Sequence, residues 1–215
     1  MKSWTSVAVA FLAIFLSLRS YAQGTFRWTV TFDGAPEIQP SDEFLIRLYQ
    51  ERDLVFTPAD EGQFGRSGGQ PSLTAFPRSG SAYLFAMLGN SLAFRSLSGS
   101  RFGLVSVDLA EFSTLYQTPL PVRFVGYRPD GTIVTTEFFT DGIIDGAGPL
   151  NDFQTFHFGS GFSDLVRVEV PTYGWSLDNM VFSNVIPEPG AIPLLALGAG
   201  IFCAIRMRTK KPTAR

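Results

Sequence analysis

VRFVGYRPDGTIVTTEF, residues 122–138, is the stretch that decides the fold. Val122 and Phe124 alternate with Arg123 and Val125, and the two-residue period of a β-strand returns after the turn. Residues 129–131, Pro-Asp-Gly, form a turn sequence, because proline presets one backbone angle and glycine tolerates positive φ. The stretch therefore predicts a β-hairpin.

The rest of residues 24–185 has the same character: short runs rich in Val, Phe, Thr and Tyr lie between Gly, Pro, Asp and Ser. No segment outside the chain ends keeps a 3.6-residue period for three turns. We therefore expect an all-β fold, an antiparallel β-sandwich that is jelly-roll-like. The predicted strands are residues 26–32, 43–49, 54–57, 82–87, 92–96, 102–109, 122–127, 132–139, 155–158, 165–170 and 175–182. The glycine-rich residues 59–78 are expected to form a long surface loop.

Composition excludes several kinds of site. The 215 residues include one His and one Cys, too few for a disulfide within the chain or a Cys/His zinc site. Residues 23–189 hold ten arginines, no lysine and all nineteen acidic residues, a charge of −9. Nucleic acid is not expected as a partner, because such a surface repels a phosphate backbone.

The first 22 residues have the pattern of a secretory signal peptide. Lys2 precedes an apolar run at residues 7–18, and small residues at 20 and 22 suit cleavage after Ala22. The run is shorter than the roughly 20 residues of a spanning helix. Signal peptidase and the Sec machinery are the expected partners, and a buried N-terminal helix is the alternative.

The other end of the chain has three parts in order. Pro187, Glu188 and Pro189 are followed by an apolar stretch at residues 190–205 and then by five basic residues. The apolar stretch predicts a single hydrophobic helix in the membrane, and the basic residues after it predict a cytoplasmic C-terminus with an exported body.

These three parts resemble the PEP-CTERM sorting domain of bacterial exported proteins. The resemblance covers about the last 30 residues, and the family also requires the signal peptide found at the other end. It implies an exosortase-like processing enzyme that recognises Pro187-Glu188-Pro189 and removes the tail. The expected organisation is a signal peptide (1–22), an exported β-sandwich (23–185) and a sorting segment (186–215), with transit through the inner membrane to the cell envelope or the exterior. A permanently membrane-anchored surface protein is the alternative.

One loop carries candidate metal ligands. Asp141, Asp145, Asn151 and Asp152 lie in a glycine-rich segment and offer the oxygen atoms that calcium prefers. Their spacing does not fit an EF-hand. Calcium is thus a candidate cofactor, and a solvated acidic loop is the alternative.

Several aromatic side chains are candidates for stacking on sugar rings. By residue type they are Trp28, Tyr83, Tyr116, Tyr127, Tyr173 and Trp175. The run PTYGWSLDNMVFS, residues 171–183, resembles the closing strand of jelly-roll modules found in exported PEP-CTERM proteins, some of them lectin-like. The resemblance supports the fold more than sugar binding, and Tyr173 and Trp175 in this run are the candidate ligand contacts by residue type.

The expected function is a binding or structural module, with extracellular polysaccharide as a candidate partner. No G-x-S-x-G motif occurs, and His157 has no second histidine, so no catalytic residue is predicted. The alternative is a secreted polysaccharide-active enzyme that uses a pair of carboxylates, as glycoside hydrolases do.

Overall fold

Strands make up nearly all of the regular structure in the computed structural model, which describes residues 26–87, 89–116, 118–146 and 151–184. The strands are β1 (Phe26–Val30), β2 (Glu43–Ile46), β3 (Tyr49–Glu51), β4 (Leu54–Thr57), β5 (Phe64–Ser67), β6 (Tyr83–Ala86), β7 (Leu92–Ser96), β8 (Gly103–Glu111), β9 (Pro121–Tyr127), β10 (Ile133–Phe139), β11 (Gln154–His157), β12 (Arg167–Val170) and β13 (Trp175–Asn184). A 3₁₀ helix occupies Ser160–Phe162. None of the residues described here belongs to a helix with the length and apolarity to span a bilayer. The predictions for residues 1–22 and 186–215 lie outside the described ranges.

Two antiparallel sheets form a sandwich, which confirms the all-β prediction. Sheet A has the order β11-β8-β13-β6-β5-β2, and β1 pairs with the second half of β13. Sheet B has the order β10-β9-β12-β7-β4-β3. Consecutive strands often change sheet, as β6, β7, β8 and β9 do, which is a feature of jelly rolls.

The predicted hairpin is confirmed in register. β9 and β10 pair from Tyr127 opposite Ile133 to Pro121 opposite Phe139. In the turn, Gly131 has a φ of +82°, and the Asp130 carboxylate accepts a 2.9 Å bond from the amide of Thr132. Proline, aspartate and glycine thus have the turn roles that the sequence predicted.

The core lies between the sheets and is largely aromatic. Phe94 of sheet B packs edge to face on Phe182 of sheet A, with ring centroids 5.9 Å apart, and Phe124 lies 5.0 Å from Phe158. Trp175 is fully buried in the same cluster. Each such side chain stabilises the fold by about 1.5–3 kcal/mol, and the core fixes which face of every strand points outward.

Two sequence predictions are wrong. Residues 59–78 are not one surface loop, because they contain β5, an inner strand of sheet A whose four residues are all buried. Residues 43–49 are not one strand, because the chain leaves sheet A after β2 and joins sheet B at β3.

The sequence did not predict β5 because of two of its residues, Gly65 and Arg66. At Gly65 an added Cβ would lie 1.9 Å from the Phe85 ring, so glycine leaves room for that ring. Arg66 points inward, where its guanidinium donates 2.5–2.9 Å bonds to the carbonyls of Phe32, Gly34 and Pro36. A glycine and an arginine hide the hydrophobic pattern that predicts a buried strand.

Candidate ligand-binding face

The outer face of sheet A is covered over much of its middle. Tyr83 and Phe85 point outward from β6 and form a second apolar cluster with Ala110 and Phe153, each at most 5% exposed. Phe112 packs over this cluster, with its ring 5.2 Å from that of Phe85. This part of sheet A offers little open surface to a ligand.

The outer face of sheet B carries several long, exposed side chains, although Val55 and Ala93 on the same face are 4% and 3% exposed. Val122, Phe124, Val168 and Val170 are buried in the core, so the alternate residues of β9 and β12 point outward. The outward residues of the sheet are Ile133, Thr135, Glu137 and Phe139 on β10; Arg123, Val125 and Tyr127 on β9; Arg167 and Glu169 on β12; Ala93 and Arg95 on β7; Val55 and Thr57 on β4; and Gln50 on β3.

One line of these side chains crosses all six strands. Ile133 pairs with Tyr127 and Tyr127 with Arg167. Arg95 pairs with Val55, and Val55 with Gln50. The pairing of Val168 with Phe94 places Arg167 opposite Arg95 and joins the two halves. We call this line, Gln50-Val55-Arg95-Arg167-Tyr127-Ile133, the Tyr-Arg row; its five strand-to-strand steps span about 24 Å.

Tyr127, Glu169 and Arg167 form a linked group in the middle of the face. The Tyr127 hydroxyl donates a 2.7 Å hydrogen bond to Oε2 of Glu169, and Arg167 Nη2 lies 2.6 Å from Oε1 of that carboxylate. The Arg167 guanidinium is 5.7 Å from the centre of the Tyr127 ring, within cation-π range. The hydrogen bond to Glu169 raises the pKa of Tyr127 above its ordinary value, because the phenol is a donor to the carboxylate only while it is protonated.

Arg95 differs from Arg167 in having no acidic partner within the described residues. Its side chain is exposed, and its polar contact is a long 3.5 Å bond to the Ser96 carbonyl. The carboxylate of Asp53, in the adjoining turn, instead accepts 2.6 Å bonds from the hydroxyls of Ser96 and Ser98. Arg95 therefore presents its guanidinium to solvent.

The two aromatic candidates from the closing strand have different surroundings. Trp175 is 0% exposed, and its indole N–H donates to the Thr172 carbonyl at 2.7 Å. We therefore correct its assignment to a ligand contact, because a core ring has no face open to a sugar. Tyr173 is 45% exposed and lies in the connection between β12 and β13.

The other aromatic candidates are also placed. Tyr83 is 1% exposed in the second apolar cluster, and Trp28 stacks on Phe182 with centroids 4.7 Å apart. Tyr116 is half-buried and packs on Phe112. Among these candidates, Tyr127 is the one on the outer face of sheet B.

Two of the four candidate calcium ligands, Asp141 and Asp152, accept hydrogen bonds from the protein. Asp152 is buried, and its carboxylate accepts bonds of 2.6–2.9 Å from the amides of Arg78, Asp145 and Gly146. Asp141 accepts from the Ile143 amide at 2.9 Å and from the Gln154 side chain. Asn151 is exposed with a φ of +54°. Within the described ranges, no three His, Cys, Asp or Glu side chains are grouped so as to hold a metal ion.

A pocket of about 300 Å³ lies beside this loop. Its lining includes Phe76, Arg78 and Ile144 together with Asp145 and Asp152. The Asp152 carboxylate is held by three backbone amides, so its role here is to fix the loop.

One pair of carboxylates does lie side by side, on the outer face of sheet A. Asp108 of β8 pairs with Asp178 of β13, and the two residues are 6% and 0% exposed. Thr155 and the Asn179 side chain donate to Asp108, while Ser81 and the Asn179 amide donate to Asp178. Burial raises the pKa of Asp178 to about 7. A substrate cannot reach these oxygens, so the pair is not the accessible site of a hydrolase.

Sequence reasoning missed Arg95, Arg167 and Glu169 as site residues. A local signal exists for two of them, because in VRVEV, residues 166–170, Arg167 and Glu169 alternate with apolar residues and so share the outer face. No local signal brings Arg95 to them, since it lies in a different strand of the chain.

Comparison with known proteins finds similar solved structures but no similar sequences. No family model and no curated protein matches the chain. A mutant of a family 29 carbohydrate binding module shares 12% identity with a TM-score of 0.35, over 74% of this chain and 92% of that one. A family 29 mutant complexed with mannohexaose shares 11% identity with a TM-score of 0.34, over 74% and 92%. A family 11 carbohydrate-binding module from Clostridium thermocellum, in complex with a β-1,3-1,4-mixed-linked tetrasaccharide, shares 6% identity with a TM-score of 0.31, over 73% and 94%. At these values the comparison assigns no family.

Proposed function

We propose that residues 23–185 form an exported polysaccharide-binding module and that the Tyr-Arg row is its binding surface. The observation that carries the proposal is the group of Tyr127, Arg167 and Glu169 at the centre of an exposed sheet face. An aromatic ring, a guanidinium and a carboxylate are held together there by short contacts.

The chemistry of this group suits sugars. The C–H face of a pyranose packs on an aromatic ring, and its hydroxyls both donate and accept hydrogen bonds. Glu169 supplies acceptors, and Arg167 and Arg95 supply planar donors. Because Tyr127 is tied to Glu169, little rotamer freedom is lost when a ligand binds.

The shape of the face suits an extended polymer. Small ligands are usually bound in concave pockets that bury most of their surface. Val55 of the Tyr-Arg row is buried, so the accessible part of the row runs from Arg95 to Ile133. These three strand-to-strand steps form an open line of about 14 Å, long enough for more than one sugar ring.

Binding of the purified full chain to a polysaccharide panel, measured by affinity electrophoresis, tests the proposal. We expect Tyr127→Ala to abolish retardation by the polymer that the wild type binds. Tyr173→Ala is the matched control, since it removes an exposed tyrosine from another part of the body. Retardation that is lost with Tyr173→Ala and kept with Tyr127→Ala would place the site elsewhere, and no retardation by any polymer would refute the module.

Sorting through the C-terminal segment is the second part of the proposal. Its support is the order of signal peptide, Pro-Glu-Pro, apolar stretch and basic tail in the sequence. Sec would export the chain, residues 190–205 would hold it in the membrane, and an exosortase-like enzyme would release it to the envelope or exterior.

The mass of the mature C-terminus in the native host tests the sorting. Glu188→Ala should leave membrane insertion intact and block processing, because the change lies outside the apolar stretch. Leu195→Arg is the contrasting variant and should impair insertion, at a cost of about 3 kcal/mol. A wild-type product that ends at Arg215 would show a permanent anchor in place of a sorting signal.

A further inference from the structure

The charge of the Tyr-Arg row is opposite to that of the body. Residues 23–189 carry ten arginines and nineteen acidic residues, yet the outward side chains of sheet B include three arginines and two glutamates. The arginines are Arg95, Arg123 and Arg167, and the glutamates are Glu137 and Glu169. These outward residues, which we call the basic strip, have a net charge of +1 on a body of −9, and this difference in sign favours a ligand of negative charge.

Arg95 and Arg167 are the unusual pair in this strip. The register of β12 on β7 ends at Val168 opposite Phe94, and one residue further it places Arg167 opposite Arg95; both side chains are exposed. Like charges opposite one another on neighbouring strands are destabilising. Glu169 neutralises Arg167 at 2.6 Å, but no carboxylate of the described residues lies within ion-pair distance of Arg95. Among the described arginines of this face, Arg95 and Arg123 both lack an ion-pair partner, and Arg95 is the one that neighbours Arg167.

A guanidinium fork fits a carboxylate better than it fits a neutral hydroxyl, because two parallel N–H groups meet two oxygens. Arg167 and then Arg95 are the next two residues of the row after Tyr127. A polymer with one sugar ring stacked on Tyr127 would therefore bring the carboxylate of that ring, or of the next one, near these two arginines. The acidic groups on the rest of the body repel a polyanion. The basic strip is therefore the part of the surface on which such a polymer would bind.

We propose that the Arg95 and Arg167 pair selects polysaccharides that contain uronic acids, with Arg95 as the main carboxylate contact. This specificity rests on the proposed polysaccharide-binding function and names the ligand class of the same face. The second source of a similar charge is a sulfated polysaccharide, whose sulfate oxygens can meet the same fork, so the test includes a polymer of each kind.

The test compares polymers that differ in charge alone. Polygalacturonate and its carboxyl-reduced form share one backbone, and dextran sulfate supplies charge without carboxylates. Titrations with the purified full chain should give tighter binding to polygalacturonate than to either of the others. Arg95→Gln should weaken binding to polygalacturonate by about tenfold, as expected for one charge-assisted contact, and should weaken binding to the reduced polymer much less, because glutamine keeps an N–H donor for a hydroxyl.

Arg27→Gln is the matched control, because Arg27 is exposed on β1 of sheet A and its loss changes the net charge equally. We expect its binding to equal that of the wild type. Equal binding of polygalacturonate and its reduced form, with Arg95→Gln silent, would overturn the uronate selectivity and leave the polysaccharide-binding function standing. Equal binding of dextran sulfate would also overturn the selectivity, since charge alone would then suffice. No binding to any of the three polymers, nor to the wider panel, would overturn both.

Discussion

Tyr127 and Glu169 are joined across neighbouring strands of sheet B by a 2.7 Å hydrogen bond from the phenol to Oε2 of the carboxylate. The other carboxylate oxygen lies 2.6 Å from Arg167. Glu169 thus does two things: it orients the aromatic ring at the centre of the face, and it neutralises one of the two arginines beside it. A substitution at Glu169 that keeps its hydrogen bond to Tyr127 and removes its charge separates these two effects.

Glu169→Gln should strengthen binding to an acidic polysaccharide. The amide oxygen can still accept from Tyr127, but Arg167 loses its counter-charge and becomes available to the ligand. We expect affinity for polygalacturonate to rise about threefold or more at low salt, with a steeper salt dependence, while the reduced polymer binds as before. Unchanged or weaker binding would show that Arg167 does not contact the ligand.

The stability of the protein should fall as the pH rises from about 4 to about 7, because of Asp178. Burial raises its pKa to about 7, so the folded state holds a proton that the unfolded state has released. The stabilisation is complete below the ordinary pKa of the group and lost as the pH passes the raised value. Asp108 and Asp33 also act to raise this pKa, and the Ser81 hydroxyl acts to lower it.

Asp178→Asn should remove most of that pH dependence. A shift of about three pKa units corresponds to at most about 4 kcal/mol between pH 4 and pH 8. Urea unfolding of wild type and variant at pH 4 and pH 8 measures it, with the exposed Asp60→Asn as a control. Equal slopes with pH in wild type and Asp178→Asn would mean that Asp178 is ionised in the folded state.

Gly65→Ala should destabilise the protein by roughly 1–3 kcal/mol, the usual cost of overpacking. The new methyl would lie 1.9 Å from the Phe85 ring, which would have to leave the second apolar cluster. Gly159→Ala is the control, since its φ is −72° and the space around it is open. The check is the midpoint of urea unfolding; a midpoint that Gly65→Ala does not lower would show that the ring does not rest on β5.

Arg66→Lys should cost about 2 kcal/mol or more despite conserving the charge. The Arg66 bonds to the carbonyls of Phe32, Gly34 and Pro36 come from three separate nitrogens, whereas the three donors of an ammonium radiate from a single nitrogen. We therefore expect at least one buried carbonyl to lose its donor, at a cost of roughly 1–3 kcal/mol. Thermal unfolding compared with the exposed Arg47→Lys measures the difference. Equal melting temperatures would mean that water replaces the lost donors.

The sequence predicts the elements of this fold whose patterns are local. Residues 122–138 contain both strands and the turn of the β9-β10 hairpin, so alternation and turn chemistry suffice. β5 has no such local pattern. Gly65 makes room for the Phe85 ring, and Arg66 bonds three carbonyls near Pro36, so both residues answer to partners far away in the sequence. Such contacts leave no periodic signal in the strand itself.

The binding face depends on register, which the sequence does not contain. By residue type, Tyr127 and Trp175 are equal candidates for stacking on a sugar. The structure distinguishes them, because the Tyr127 ring lies on the outer face of sheet B and the Trp175 ring lies in the core. Arg95 and Arg167 become neighbours because β12 pairs with β7. Strands so far apart in the chain can be aligned in several ways, and the burial of Phe94 and Val168 selects one of them.

Hydroxyl-radical footprinting of the full chain with and without polygalacturonate tests the central claim, that the outer face of sheet B is the binding surface. We predict that Tyr127 and Ile133 lose reactivity when the polymer is bound, whereas Tyr173 and Phe26, which are exposed elsewhere, react as before. Protection of Tyr173 with unchanged reactivity at Tyr127 would contradict the account and place the ligand at the connection between β12 and β13.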